Sequence, residues 1–250
     1  ADFVTSHNTC AHIDNLIDIV KGVEYLLKEN GVFVLEVGYF ADVFVNTWFD
    51  TIYHEHVDFH TVAPFEKLFS RVGMELISVD RISPQGGSIR VMAQKIGGKF
   101  IRDNSVDLLI ETERKLKLNE LQTLITFEKK ITLVKNILQN LLRKLRKDGK
   151  TIAGFGAPTK ATTLMNHFGI DENILDFIVD ENPLKQGLYT PVSNIPVLPS
   201  SEIYNKKPDY VLILAWNFAE PIMQNHIKYA KEVGDFILPM PEPQIVKLDK

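Results

Sequence analysis

The sequence predicts an α/β protein in two parts joined by a long helical connector. Three observations carry this. Strand-like and helix-like segments alternate over residues 1–100 and again over 150–250, the order that builds layered α/β sheets. Between them, apolar residues recur in steps of three and four from Leu124 to Leu145, which is helical spacing. A Gly-x-Gly turn at Gly154 and Gly156 follows an apolar strand and opens a helical segment, as in a Rossmann-like βαβ unit.

The elements follow in order. Asp2 to Ser6 reads as the end of a buried strand. A helix with Ile13, Leu16, Ile17, Val20, Val23, Leu26 and Leu27 on one face comes next, stopped by Asn30-Gly31. Val32 to Val37 is a strand rich in β-branched residues. Gly38 to Val62 is rich in aromatics and has no clear period. Pro64 to Val72 reads as a short helix closed by Gly73. Two strands, Glu75 to Asp80 and Ser88 to Gln94, are joined by a Pro-Gln-Gly-Gly turn. The connector runs from Val106 to Lys147, with Leu124, Phe127, Ile131, Val134, Leu138, Leu141 and Leu145 as its seam. At ~3 heptads with irregular flanking charges, it suits an amphipathic packing helix better than a coiled coil. The last part reads as strand 151–154, helix 159–167, strand 176–179, strand 210–214, helix 219–233 and strand 236–238.

Composition narrows the function classes. Lys and Arg are dispersed and the net charge is −4, so the concentrated basic surface of a nucleic-acid binder is not expected. Cys10 is the single cysteine, which precludes an intrachain disulfide and a cysteine zinc site, and fits a cytoplasmic protein. There is no signal peptide and no apolar run of ~18 residues, so no membrane span is expected. The chain opens on Ala1 with Phe3-Val4 directly after, and a fragment of a longer protein is expected.

Four groups of residues could carry chemistry. Tyr53-His54-Glu55-His56, with His60 close behind, gathers five proton-handling groups. His56 could act as general base, Glu55 could orient it, and Tyr53 could donate to a developing oxyanion. A metal held by His54, His56 and His60 is an alternative, as is a plain surface loop. His12, in Asn8-Thr9-Cys10-Ala11-His12, lies just past a strand end, where open α/β sheets take ligands. The turn Gly154 to Lys160 could offer backbone N–H groups and a cation to phosphate. Its pattern departs from G-x-G-x-x-G because Thr159 holds the third glycine position. Asp180 could meet a ribose hydroxyl. Asn182 and Lys185 in the run after it, and Trp216-Asn217 after the next strand, border the same crevice. There Lys185 could meet a phosphate and Trp216 could stack on a base.

Together these residues resemble the SAM-dependent sugar C-methyltransferases of deoxysugar biosynthesis, over nearly the whole chain. Asn8 to His12 with the following helix and Gly31 to Val37 look like the second half of the methyltransferase domain. Tyr53 to His56 looks like the family's active-site run. Gly149 to Ala157, Asp180 to Gly187 and Leu214 to Asn217 look like signatures of its C-terminal Rossmann-like domain. The resemblance implies an incomplete class I methyltransferase-like sheet over 1–100, a helical connector over 101–149 and a nucleotide-sugar-binding domain over 150–250.

It further implies proton abstraction by His56 beside a keto group and methyl transfer from S-adenosylmethionine to carbon. Tyr53, Glu55 and His12 would assist. Asn8 and Thr9 would lie at the cofactor, and a nucleotide sugar, commonly dTDP-linked, would be the partner. An oxygen or nitrogen acceptor, or a non-catalytic nucleotide-binding module, are the alternatives. The family's glycine loop for SAM and its zinc cysteines are not in this chain. The resemblance therefore implies no zinc here, an exposed sheet edge, and inactivity of the fragment alone.

Overall fold

A computed structural model describes residues 1–247, so the last three residues of the predicted 150–250 domain lie outside it. The chain forms two compact units. One comprises Ala1–Val45 with His54–Phe127, and the other Asn46–Tyr53 with the chain from Glu128 onward.

The first unit is built on a four-stranded sheet. Strand β1 (Phe3–His7) is followed by helix α1 (Leu16–Leu26) and strand β2 (Val32–Gly38), parallel to β1. Strands β3 (Met74–Ile82) and β4 (Ser88–Lys95) form the predicted hairpin, and β4 pairs antiparallel with both β2 and β3. The sheet order is β1-β2-β4-β3. Its core is the apolar set of β2 and β4: Phe33, Leu35, Ile89, Val91 and Ala93 are each at most 1% exposed. Edge strand β1 stays open, with Phe3 68% exposed. Helix α1 starts at Leu16, not Ile13. Cys10–His12 make a single 3-10 turn, and Ile13 leaves it extended at φ −112° and ψ 115°.

The stretch 38–62, which reads as irregular, holds helix α2 (Phe40–Asn46) and a 3-10 turn at Phe49–Thr51. Helix α3 (Val62–Ser70) follows. Its N-cap Thr61 makes no capping bond, so its first N–H groups need another acceptor. That acceptor is Glu113, on helix α4 (Ser105–Leu116). Its carboxylate accepts from Val62 N at 2.6 Å, Ala63 N at 3.0 Å and the Tyr39 hydroxyl at 3.1 Å. Burial and the adjacent carboxylate push the Tyr39 phenol well above its ordinary range. It therefore serves as a fixed donor.

The connector is two helices rather than one. It breaks after α4, where Lys117 takes a left-handed turn at φ 56°, and resumes as α5 (Leu121–Lys147). Within α5 the seam is buried at Phe127, Val134, Leu138, Leu142 and Leu145. Leu142 thus replaces the expected Leu141, and Leu124 is 43% exposed. Four-residue steps fit 3.6 residues per turn as well as three-residue steps do, so spacing alone does not separate the two leucines.

The second unit has the expected βαβ array and more. Strand β5 (Ile152–Phe155), helix α6 (Thr159–Phe168) and strand β6 (Phe177–Val179) open it, followed by the short strand β7 (Val197–Leu198) and helix α7 (Glu202–Lys206). Strand β8 (Tyr210–Ile213), helices α8 (Ala219–Asn225) and α9 (Ile227–Glu232), and strands β9 (Asp235–Leu238) and β10 (Gln244–Val246) complete it. The predicted 219–233 helix is therefore two, divided at His226. The sheet runs β10-β9-β8-β5-β6-β7, all parallel except β10. Its strand order reverses between β5 and β8, the switch point at which such sheets open a crevice.

Glu113 gives a direct test of the first unit. Glu113→Ala leaves buried donors unpaired, so it should lose about 2–4 kcal/mol, while Glu113→Gln should lose less. Urea denaturation measures both, and a loss below about half a kcal/mol for the alanine variant would refute the assigned role.

Candidate functional site

In the first unit, His12 and His56 come together. Their rings lie edge to face, with centroids 4.9 Å apart. Backbone bonds set this approach. Ala11 O accepts from Val57 N at 2.8 Å and from Asp58 N at 3.4 Å, hanging the loop on the 3-10 turn that carries His12. His12 is exposed and His56 half-buried, so a reactant can reach the pair. Phe59 borders His56 at 6.3 Å.

His60 is enclosed in the core instead. It is 8% exposed and stacked on Phe65 at 4.8 Å, and burial holds its imidazole below the ordinary value. Among the described residues no group of three His, Cys, Asp or Glu side chains could hold a metal ion. Glu55 and His54 are exposed, and Tyr53 is half-buried in the segment that belongs to the second unit.

Asn8 and Thr9 leave the carboxyl end of β1, the end at which parallel strands meet ligands. Asn8 takes a left-handed turn at φ 51° and donates its N–H to Glu36 O at 2.8 Å, and Thr9 bonds back to His7 O at 3.0 Å. Both side chains are exposed, on the same strand end as His12. Nearby sits Glu36, 7% exposed on β2 and paired with Arg90 at 3.1 Å. A lone acid in the apolar run Val32 to Val37 was its signal.

In the second unit the glycine turn differs from expectation. Gly154 contacts the sheet interior: a Cβ there would lie 2.8 Å from Ile178 Cγ1 and 3.0 Å from Leu214 Cδ1. Its smallness serves packing. Gly156 has φ +88°, and a Cβ on it would meet Ala215 at 2.6 Å. The N–H groups expected to face phosphate are used internally. Gly156 N donates to Val179 O, and Ala157 N to Asp180 Oδ2, both at 2.7 Å.

Asp180, 8% exposed, also accepts from Asn182 N at 2.8 Å and lies 3.4 Å from Lys185 Nζ. Lys185 Nζ donates to Ala157 O at 2.9 Å. Asp180, Asn182 and Lys185 therefore clasp the turn.

Trp216 is likewise enclosed. It is 7% exposed, stacks on Trp48 at 4.9 Å, and has the Lys160 ammonium 3.8 Å from its ring centroid. It cannot stack on a base without displacing one of them. Its indole N–H donates at 2.6 Å to Asp50, which is fully buried. Asn217 beside it buries an oxygen without a partner among the described residues.

Burial pushes Asp50 up to about 6 and brings Lys160 down to about 8, each opposed by the other's charge. Neither Asp50 nor Trp48 stands out in the sequence, because they lie in the stretch without period. The open space is next door. A cavity of about 300 Å³ lies along α6 and is bordered by Thr159, Asn166, Lys185, Tyr189, Thr190 and Ser193.

Residues 83–241, well over half of the sequence, match the family described as C-methyltransferase C-terminal domain. The chain belongs to this family. It is also 33% identical over 249 residues to the C-methyltransferase NovU of Streptomyces niveus, an alignment covering 100% of this chain and 59% of that protein. The chain thus spans about three-fifths of the length of this relative. The C-methyltransferase C-terminal domain match takes in β4, both connector helices and the second unit as far as β9. The His12–His56 pair precedes it and falls within the longer alignment. No helix among the described residues is long and apolar enough to cross a membrane.

The buried pair in the second unit sets a pH test. Asp50 is raised, so its contribution favours the fold below its unfolded value of 3.8 and is lost as pH rises through about 6. Lys160→Met leaves the carboxylate without its counter-charge above that range. We expect a loss of about 3 kcal/mol at pH 7, and recovery of much of it at pH 5, where Asp50 takes a proton. Denaturation followed by tryptophan emission reads this, and equal losses at both pH values would refute it.

Proposed function

We propose that this chain is the C-terminal part of a SAM-dependent C-methyltransferase acting on a nucleotide-linked keto-deoxysugar, dTDP-linked in the first instance, in the cytoplasm. The observation that carries the reading is the accessible His12–His56 pair, fixed by the Ala11 carbonyl beside the exposed end of β1. The similarity to a protein named as a C-methyltransferase supports it.

The chemistry follows from these side chains. A C–H beside a carbonyl is acidic because the charge left behind spreads onto oxygen. His56, half-buried, takes that proton. His12, edge-on to it, would hydrogen-bond the sugar, and Tyr53 would donate to the developing oxyanion. Glu55 shares or balances the proton. When bound, S-adenosylmethionine supplies an electrophilic methyl group. Asn8 and Thr9 fit its edge, since both are exposed at the strand end that carries His12. Alignment of the two reactants by these residues provides much of the rate.

For the nucleotide, the cavity along α6 supports binding better than the glycine turn does. Its volume is at the small end of ligand pockets. Hydroxyls of Thr159, Thr190 and Ser193 suit a ribose, and the Lys185 ammonium suits a phosphate.

In the intact gene product, without SAM, deuterium from solvent should enter the sugar carbon next to the keto group. His56→Ala should slow that exchange by about 10²–10⁴-fold. Mass spectrometry of recovered substrate reads both. Wild-type protein that exchanges nothing would remove the carbon-acid mechanism, and calorimetry showing no binding of dTDP would remove the nucleotide assignment.

A further inference from the structure

The crevice at the switch point of the second sheet is occupied by the protein itself. The residues leaving β5 are Gly156 to Lys160, and those leaving β8 are Leu214 to Asn217. A Cβ on Gly156 would press on Ala215, so the two exits are in close contact. Among them lies the segment Asn46–Tyr53, which follows β2 and α2 in sequence yet belongs to the second unit.

Phe49, Trp48 and Asp50 hold this segment. Phe49 stacks on Phe168 at 4.8 Å and leans on His167 at 5.2 Å, at the far end of α6. Trp48 stacks on Trp216. Asp50 accepts from the Trp216 indole N–H at 2.6 Å and faces the Lys160 charge. Asp50 Oδ1 and the Trp48 indole N–H are buried with no partner among the described residues. A carboxylate so fully buried is costly and persists where position matters more than stability.

The chain leaves this anchor at Tyr53 and enters His54-Glu55-His56 with no residue in between. We propose that Asp50 is a positioning residue for the reaction: by fixing Asn46–Tyr53 in the switch-point crevice against Trp216 and Lys160, it holds the lead-in to the His56 loop in its working conformation. The proposal rests on the function proposed above for His56. It assigns to Lys160 and Trp216 the task of gripping the chain rather than the nucleotide.

The two tryptophans of this chain, Trp48 and Trp216, both lie in this anchor, so the chain's own tryptophan emission reports on it. In the intact gene product, Asp50→Ala should shift the emission and open the amides of residues 47–57 to hydrogen exchange. It should lower kcat on the order of ten-fold or more, with KM for the nucleotide sugar nearly unchanged. Asp50→Asn keeps an acceptor for the indole and should restore most of kcat.

Trp216→Phe removes the donor and part of the stacking surface but keeps the carboxylate, and it should act in the same direction, which covers the case in which Asp50→Ala does not fold. Full kcat in a variant whose emission and amide exchange have changed would overturn the proposal. So would unchanged amide exchange at 53–57, whatever the activity. A wild type that neither exchanges nor methylates the sugar sinks the reading of His56, while the amide data still judge the anchor.

Discussion

The first unit depends on one buried carboxylate. Glu113 closes the N-terminus of α3 and takes the Tyr39 hydroxyl, so a single side chain joins α4, α3 and the end of β2. The helix offers bare N–H groups with a partial positive charge, and a carboxylate satisfies both the bonds and the charge. Because α3 begins at Val62, this also fixes where the loop carrying His56 must end. Nearer to His56 the loop is held by the Ala11 carbonyl, which accepts from Val57 N. Two backbone-directed anchors thus define a loop with little regular structure of its own. That is how accessible histidines can keep a fixed geometry.

The second unit uses a buried acid differently. Asp50 has one strong donor and a nearby ammonium, and one of its oxygens goes without a partner. Glu113 is bonded at both oxygens and strengthens its unit. Asp50 is raised by burial to about 6 and costs free energy at neutral pH. What it supplies is location, as the segment it carries is taken out of the first unit's sequence and kept with the second.

How much was legible in the sequence follows from the range of each signal. Strands β2, β4 and β5 were legible because burial on both faces makes near-continuous apolar runs, as in Val32 to Val37. The hairpin turn was legible from Pro84 to Gly87. The His12 and His56 candidates were legible as residue types, and their approach to 4.9 Å was not, since it is made by a backbone bond between residues 46 apart. Helix α2 was missed because its apolar residues are packed on several sides and leave no period. The break at Lys117 was missed because a left-handed turn there needs no glycine. Lys117 has nothing in its side chain that announces φ 56°.

The glycine turn carries steric and hydrogen-bonding demands that come from residues far away in sequence. Gly154 and Gly156 are small for steric reasons that concern Ile178, Leu214 and Ala215, all distant in sequence. The N–H groups the turn exposes are then satisfied by Val179 and Asp180. A phosphate there would have to displace a carboxylate already bonded to Ala157 and Asn182 and faced by Lys185. Such exchange recovers little, because one anion replaces another on the same donors. In the proposed function the nucleotide therefore gains more from the cavity along α6, where hydroxyls and an ammonium border open space. The switch point itself is left to hold the chain that leads to His56.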